Sequence, residues 1–439
     1  MEALKKHPTD SLSVIGLGKV GLPLAANLAS AGSPVFGYDP DPVRRDLLSS
    51  HDPQQDEIFY ENGLSHALKE GAVNLTAVDN MAEAILASAI SFVIVPTPSL
   101  QNGSFSLSFV ESVCSEIGKT LRSKAEDHLI VLVSTVSPAS VADTIVPVLE
   151  RASGKTCGKG FSFCYSPALI ALGDVIKGFA EPDFAFVGEV DENGADQLNA
   201  FYSDRLPPET PIHRMSAESV EIAKLALNNF LTMKIGFSNL IGHLCDRTPN
   251  ADVHDVLGAL GNDTRIGGKF LNAGMGFGGP CLPRDNAALS ASLSSVDLEP
   301  YLPEAIARSN MDHTTRLAMI ADPHRNVGVI GLGYKAASPV TLDSAAIALC
   351  NILIERGRNV YAFDPLADKM DFGSLHEQVI LVSSLSKLFE LVEMAFLTAD
   401  LQSSGEFAEN FPDEVMLIDV SSRLANDERH SHVRIFGKS

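Results

Sequence analysis

Short runs of consecutive apolar residues punctuate the first third of the chain, at 13–17, 34–38, 90–95 and 129–134. Between them lie stretches of helical period, the first at 22–31. Strands that are apolar on both faces and separated by helices predict a parallel sheet covered on both sides. The pattern returns near the end. Val14-Ile15-Gly16-Leu17-Gly18 leads to Tyr38-Asp39-Pro40, and Val329-Ile330-Gly331-Leu332-Gly333 leads to Phe363-Asp364-Pro365. Further strands are predicted at 379–382, 394–397 and 415–419. Two copies do not make a solenoid. The chain reads as α/β, with two Rossmann-like doubly wound parallel-sheet units.

The middle is different. Residues 216–246 are apolar on most sides and rich in helix formers, with Ser216 placed as a cap, which predicts a long, largely buried helix. Its polar residues Glu221, Lys224, Asn228 and Thr232 recur at spacings of three or four and share one stripe. That stripe either faces solvent or is buried for a purpose, because a buried lysine is costly unless paired. Next, residues 258–279 hold eight glycines in 22 positions, which lets backbone approach a ligand closely. Linkers are expected near 205–211 and 321–325.

Composition narrows the class. A chain of 439 residues with 45% hydrophobic and 20% charged positions is expected to form two or three globular domains. No apolar run reaches the length that spans a bilayer, and the start, MEALKKHPTDS, has no apolar core of a secretory signal. Six scattered cysteines without a CxxC pair point to free thiols, a reducing compartment and the cytoplasm. The net charge of −22 argues against a nucleic-acid partner. It also means that any anionic ligand needs a local positive field.

Three clusters carry candidate chemistry. Gly16-Leu17-Gly18-Lys19-Val20-Gly21 follows a strand and opens a helix, and Asp39 lies 18 residues past Gly21. The first glycine suits a tight turn, the second a close pyrophosphate, the third helix–strand packing. Asp39 suits ribose hydroxyls and favours NAD over NADP, with Arg44 nearby as a moderating cation. The later Gly331-Leu332-Gly333-Tyr334 lacks a third glycine, so it fits either another phosphate-bearing ligand or plain packing. Gly276-Phe277-Gly278-Gly279-Pro280-Cys281-Leu282-Pro283-Arg284-Asp285 sets a cysteine beside a flexible turn, a cation and a carboxylate, a context for an activated thiol. The other cysteines read as small buried hydrophobes. Thr135 falls at a strand's C-terminal end, where open α/β sheets place ligands.

Together these residues resemble the UDP-glucose and GDP-mannose dehydrogenases, the nucleotide-sugar dehydrogenases that oxidise twice. The likeness runs through Gly16–Gly21, Val95-Pro96-Thr97-Pro98, Ser134-Thr135, Glu221/Lys224/Asn228, Asp263-Thr264-Arg265-Ile266-Gly267, Gly278-Gly279-Pro280-Cys281 with Asp285, and Gly333-Tyr334-Lys335. It implies an NAD-binding Rossmann domain (1–203), a central helical dimerisation domain (204–318) and a C-terminal Rossmann-like domain holding the nucleotide (319–439). It also implies a homodimer with no membrane partner. It implies that water oriented by Asp285 takes the C6 hydroxyl proton and that Cys281 forms a thioester. Lys224 and Asn228 would stabilise oxyanions, and Thr135 would place water. NAD contacts are implied for Gly16, Leu17, Gly18, Val20, Gly21, Asp39, Arg44, Pro96, Thr97, Thr135 and Arg284. Substrate contacts are implied for Ala168, Leu169, Lys224, Asn228, Phe270, Asn272, Gly274, Gly278, Cys281, Tyr334 and Lys335. The sequence departs from the family where glutamates are usual, at Ala168 and Leu172. It also lacks the arginine of a later motif at Thr341-Leu342-Asp343-Ser344, and Arg284 replaces a common lysine.

Overall fold

A computed structural model of the chain describes residues 11–50, 59–399, 412, 414–421 and 433–438. The N-terminal ten residues, read above as lacking a signal, lie outside the described residues. The chain divides into two units, Met1–Leu225 and Ala226–Ser439.

The first unit is built on a sheet of nine strands. They are β1 (Leu12–Ile15), β2 (Val35–Tyr38), β3 (Leu75–Ala77), β4 (Ile90–Val93), β5 (Leu129–Leu132), β6 (Thr156–Cys157), β7 (Gly160–Tyr165), β8 (Ala185–Glu189) and β9 (Ile212–Ser216). Their order is β3-β2-β1-β4-β5-β7-β8-β9, with β6 paired to β7. Neighbours from β3 to β7 run parallel, β8 is antiparallel to β7, and β9 is parallel to β8. Every residue of β1, β4 and β5 is buried, which is why these strands appear in the sequence as unbroken apolar runs. Helix Gly21–Ser30 buries Leu22, Leu24, Ala25 and Leu28 against the sheet.

Two expectations shift here. β4 and β5 end two residues early, because the Val95 amide turns to Ser134 Oγ (2.9 Å) instead of a neighbouring strand. Residues 205–211 do not lead out of this unit. Helix Glu192–Arg205 returns the chain to β9, which completes the same sheet.

The second unit repeats the winding. β10 (Asn326–Ile330), β11 (Asn359–Phe363), β12 (Ile380–Leu381), β13 (Met394–Leu397), β14 (Met416–Asp419) and β15 (Arg434–Ile435) lie in the order β12-β11-β10-β13-β14-β15, all parallel. The sequence echo between the two glycine motifs therefore marks two first strands of doubly wound sheets. Around this sheet pack helices Tyr301–Ile320 and Ala345–Glu355.

The long helix runs Ala217–Cys245, and Ser216 Oγ accepts from the Ser219 amide (3.2 Å) as its cap. Its burial is opposite to a simple apolar core helix. Glu221, Lys224, Asn228 and Thr232 are all buried, so their stripe does not face solvent. Ile222, Phe230, Phe237, Leu240 and Leu244 are exposed, so the helix is not largely buried within one chain. Gly258 and Gly261 belong to helix Val253–Gly261 and are not part of a loop, which leaves the glycine-rich loop to begin near Gly267. Among the described residues no helix is long and apolar enough to cross a membrane.

Candidate active site

In the first unit the glycine turn divides its labour as the spacing requires. Gly16 has φ +98°, and a Cβ there would lie 2.1 Å from the Ile94 carbonyl oxygen. A Cβ on Gly21 would lie 1.8 Å from the Gly16 oxygen. A Cβ on Gly18 would meet only Arg44 Nη1, at 3.4 Å. Gly16 and Gly21 are thus fixed by packing, while Gly18 borders open space at the start of a helix, which suits a pyrophosphate. Leu17 is buried and Val20 stands at the N-cap of helix Gly21–Ser30. Asp39, buried at the end of β2, accepts from the Leu17 amide (2.8 Å) and the Asp41 amide (3.0 Å). Arg44 Nη1 stands 3.6 Å from Asp39 and remains half exposed. These residues fit a dinucleotide with a free ribose diol.

The ends of β4 and β5 are tied to each other. Thr97 is buried and its Oγ1 donates to the Thr135 carbonyl (2.8 Å), while Pro96 beside it is exposed. Ser134 Oγ both accepts from the Val95 amide and donates to the Val95 carbonyl (2.7 Å). Beyond Thr135, the amides of Ala139 and Val141 point at Glu221 of the long helix (2.6 and 2.8 Å). Burial, with the charges of Glu218 and Asp143, raises the Glu221 carboxyl to about 7 despite these bonds. One turn on, Lys224 Nζ donates to the Ala168 carbonyl (3.0 Å). A backbone oxygen therefore meets this ammonium at the position where the family usually carries a glutamate. Leu169 packs against the hydrophobic core behind the sheet.

In the second unit Asn228 Nδ2 donates to Asp285 Oδ2 (2.6 Å), and Asn229 Nδ2 to the Asp285 carbonyl (3.2 Å). Asp285 is 1% exposed, with Arg284 Nε 3.7 Å from its Oδ1. Cys281 is exposed and is the N-cap residue of helix Leu282–Ser294. As N-cap residue it lies at the helix end whose dipole favours negative charge, although its side chain makes no capping hydrogen bond. Cys114, Cys164, Cys245 and Cys350 are buried, Cys157 is half-buried, and all are free thiols. Burial pushes Cys114 and Cys350 up to about 12, away from thiolate chemistry.

The loop before Cys281 is gripped from several sides. A Cβ on Gly279 would lie 2.3 Å from the Tyr334 ring, and one on Gly278 would lie 2.2 Å from the Asp343 carbonyl oxygen. The Cys281 loop is thus laid on the Tyr334-Lys335 turn, and Lys335 is half-buried there. Asn310 bonds the Phe277 amide and carbonyl (both 2.9 Å). Asn239 accepts from the Gly274 amide (2.8 Å) and donates to the Met275 carbonyl (3.4 Å). Phe270 is exposed with φ +62°, and Asn272 is exposed beside it. At the second glycine turn the packing alternative gains ground. A Cβ on Gly333 would lie 2.2 Å from the Ser338 carbonyl oxygen, so the chain itself fills the space a phosphate would take at Gly18.

Sequence reasoning passed over Asn229, Asn239 and Asn310, and gave Glu221 no task. A legible signal existed for the first: two consecutive asparagines inside an apolar helix are poor helix formers and need partners. Nothing in the local pattern singles out Asn239 or Asn310.

The first unit thus carries a phosphate-ready turn closed by an acidic strand end, the mark of the dinucleotide-binding class, and the second carries an exposed cysteine and a buried amide–carboxylate pair. The family model for the NAD-binding domain of the UDP-glucose/GDP-mannose dehydrogenases matches residues 10–205, and that for their central domain matches residues 218–312. The GDP-mannose 6-dehydrogenase of Pseudomonas putida is 32% identical over 371 residues, covering 83% of this chain and 82% of that protein. The UDP-glucose 6-dehydrogenase of Haloferax volcanii is 31% identical over 363 residues, covering 81% and 83%. The solved UDP-glucose dehydrogenase of Pyrobaculum islandicum superimposes with a TM-score of 0.84 at 30% identity, over 94% of each chain. The chain belongs to the UDP-glucose/GDP-mannose dehydrogenase family, and its cofactor is NAD.

Proposed function

We propose that the protein oxidises the C6 alcohol of UDP-glucose twice, to the uronic acid, through a thioester on Cys281. NAD, when bound, accepts the hydride of each oxidation, so one substrate consumes two NAD. Water oriented by Asp285 takes the C6 hydroxyl proton as the first hydride leaves. The Cys281 sulfur then adds to the aldehyde carbon, and Lys224 and Asn228 donate to the resulting oxyanion. Loss of the second hydride leaves the thioester. Water placed by Thr135 cleaves it, restoring the thiol and releasing the acid. Phe270, Asn272, Gly274, Tyr334 and Lys335 hold the nucleotide sugar. The chain works in the cytoplasm as a homodimer, with its C-terminal Rossmann-like domain beginning near 319.

One observation carries this reading: the buried Asn228–Asp285 contact (2.6 Å) within one helical turn of the exposed Cys281 thiol. The test is NADH stoichiometry with purified protein. Two NADH per UDP-glucose and an acid product are expected, and Cys281→Ser is expected to abolish the acid. One NADH per sugar would sink the thioester route. GDP-mannose is the second reading, favoured by the relatives that oxidise it and by Cys281-Leu282-Pro283, which suits both substrates. A parallel assay with GDP-mannose separates the two. UDP-N-acetylhexosamines are a weaker third, because Pro280 stands where UDP-N-acetylmannosamine dehydrogenases typically carry histidine. A protein that binds nucleotide sugar without hydrolysing the thioester follows if Ala168 leaves hydrolysis unassisted; it would give a burst of NADH and no free acid.

A further inference from the structure

We propose that Glu221 is a positioning residue whose carboxylate locks the Thr135 loop to the long helix and so registers Thr135 with Lys224. The inference rests on the roles given to those two residues above.

Glu221 is fully buried, and a buried carboxylate is costly unless it is hydrogen-bonded. Both its oxygens are used by one loop: Oε2 accepts from the Ala139 amide (2.6 Å) and Oε1 from the Val141 amide (2.8 Å). The loop needs this hold. Ala139 sits at φ +67°, a region that disfavours any residue with a Cβ. The chain then enters a π-helical turn at Val141–Ile145, a geometry less regular than the α-helix it leads into. At its other end the loop is fastened within the sheet. Thr97 Oγ1 holds the Thr135 carbonyl (2.8 Å), and Tyr165 Oη accepts from the Val136 amide (3.4 Å). Glu221 is the anchor that arrives from the helix carrying Lys224, three residues away. Lys224 in turn holds the Ala168 carbonyl. Strand ends, loop and helix are thereby joined through one carboxylate.

The chemistry of the clamp is specific. Two converging N–H donors match an ionised carboxylate, whose two oxygens both accept. A glutamine offers one acceptor and turns an N–H toward the second donor. A protonated carboxyl loses acceptor strength at its hydroxyl. Around Glu221, Glu218 on its own helix and Asp143 in the π-helical turn oppose ionisation along with burial, while the Lys224 ammonium lies one turn further along the same buried stripe. The clamp therefore loosens as pH falls below about 7.

The test follows hydrogen exchange of the peptide containing Ala139 and Val141, corrected for intrinsic exchange, from about pH 6 to about pH 8.5. In the unaltered protein, protection of these amides should rise with pH through neutrality. Glu221→Gln should leave them weakly protected at every pH, and should flatten the acidic limb of kcat. Its kcat should drop between about tenfold and a hundredfold, as misplacement of a reacting group does, with KM for the nucleotide sugar held within about twofold. Glu221→Asp should restore the pH dependence in part. Protection left intact in Glu221→Gln would overturn the clamp, and protection independent of pH in the unaltered protein would overturn its loosening below neutrality. The exchange measurement on the unaltered protein needs neither a folded variant nor turnover, so it stands apart from the proposed oxidation.

Discussion

At the residue scale, the three glycines of the turn look alike in the sequence and differ in what surrounds them. A Cβ on Gly21 would collide with backbone at 1.8 Å, and backbone cannot swing away as a flexible side chain can. Gly21→Ala should therefore cost about 1–3 kcal/mol of stability through overpacking, before any effect on cofactor. A Cβ on Gly18 would meet only the Arg44 guanidinium at 3.4 Å, which is ordinary contact. Gly18→Ala should leave the melting temperature within about 2 °C, yet it should weaken NAD by about tenfold or more because the methyl takes the place of a phosphate oxygen. Thermal melts and calorimetric titration with NAD, run on both variants, separate the two roles. Equal melting losses in both would remove the argument that Gly18 is reserved for a ligand. The departure at Ala168 belongs to this scale too. Its carbonyl, not a side chain, meets Lys224, so the lysine keeps a partner although the usual glutamate is gone.

At the element scale, the long helix carries the main unresolved energy. Phe230, Phe237 and Leu244 are seven residues apart, Leu240 lies between the last two, and all four are exposed. Residues at that spacing share one face, the pattern of a helix that packs on a partner. Burying each would contribute about 1.5–3 kcal/mol. Phe237→Glu with Leu240→Lys should convert a homodimer to monomer in sedimentation velocity at micromolar concentration, without loss of helix in circular dichroism. A native chain that sediments as a monomer would defeat the homodimer reading. The same helix marks how far the sequence could be read. Strands such as β1, β4 and β5 were legible because burial on both faces leaves an apolar run in the chain. The helix was legible as a helix, and its polar stripe as a stripe, from periodicity alone. Which side of it faced inward was not, because that depends on Ala139, Val141 and Asp285, which are distant in sequence from their partners Glu221 and Asn228. The short β15 was missed because two residues carry no period.

At the scale of the whole molecule, 55 acidic against 33 basic residues leave a net charge of −22, although the ligands of this family are themselves anions. The proposed contacts include a few cations, among them Arg44, Lys224, Arg284 and Lys335. Distance decides which field an arriving ligand feels. At about 0.01 M ionic strength the screening length is roughly 30 Å, so the summed negative charge reaches the ligand throughout its approach. At about 0.15 M it is roughly 8 Å, and only groups close to the binding atoms still act. Adding salt therefore removes the repulsion first and leaves most of the short-range attraction. kcat/KM for the nucleotide sugar should rise by a factor of a few between about 0.01 M and about 0.15 M sodium chloride, the reverse of an enzyme whose net field attracts its substrate. kcat should stay nearly constant, because bound groups are within hydrogen-bond distance and are screened little. Initial rates across a salt series, repeated with potassium chloride to set aside specific ion effects, measure this directly. A kcat/KM that falls with salt would mean that the local cations outweigh the −22 even at long range, and the acidic surface would then have no part in how the ligand arrives.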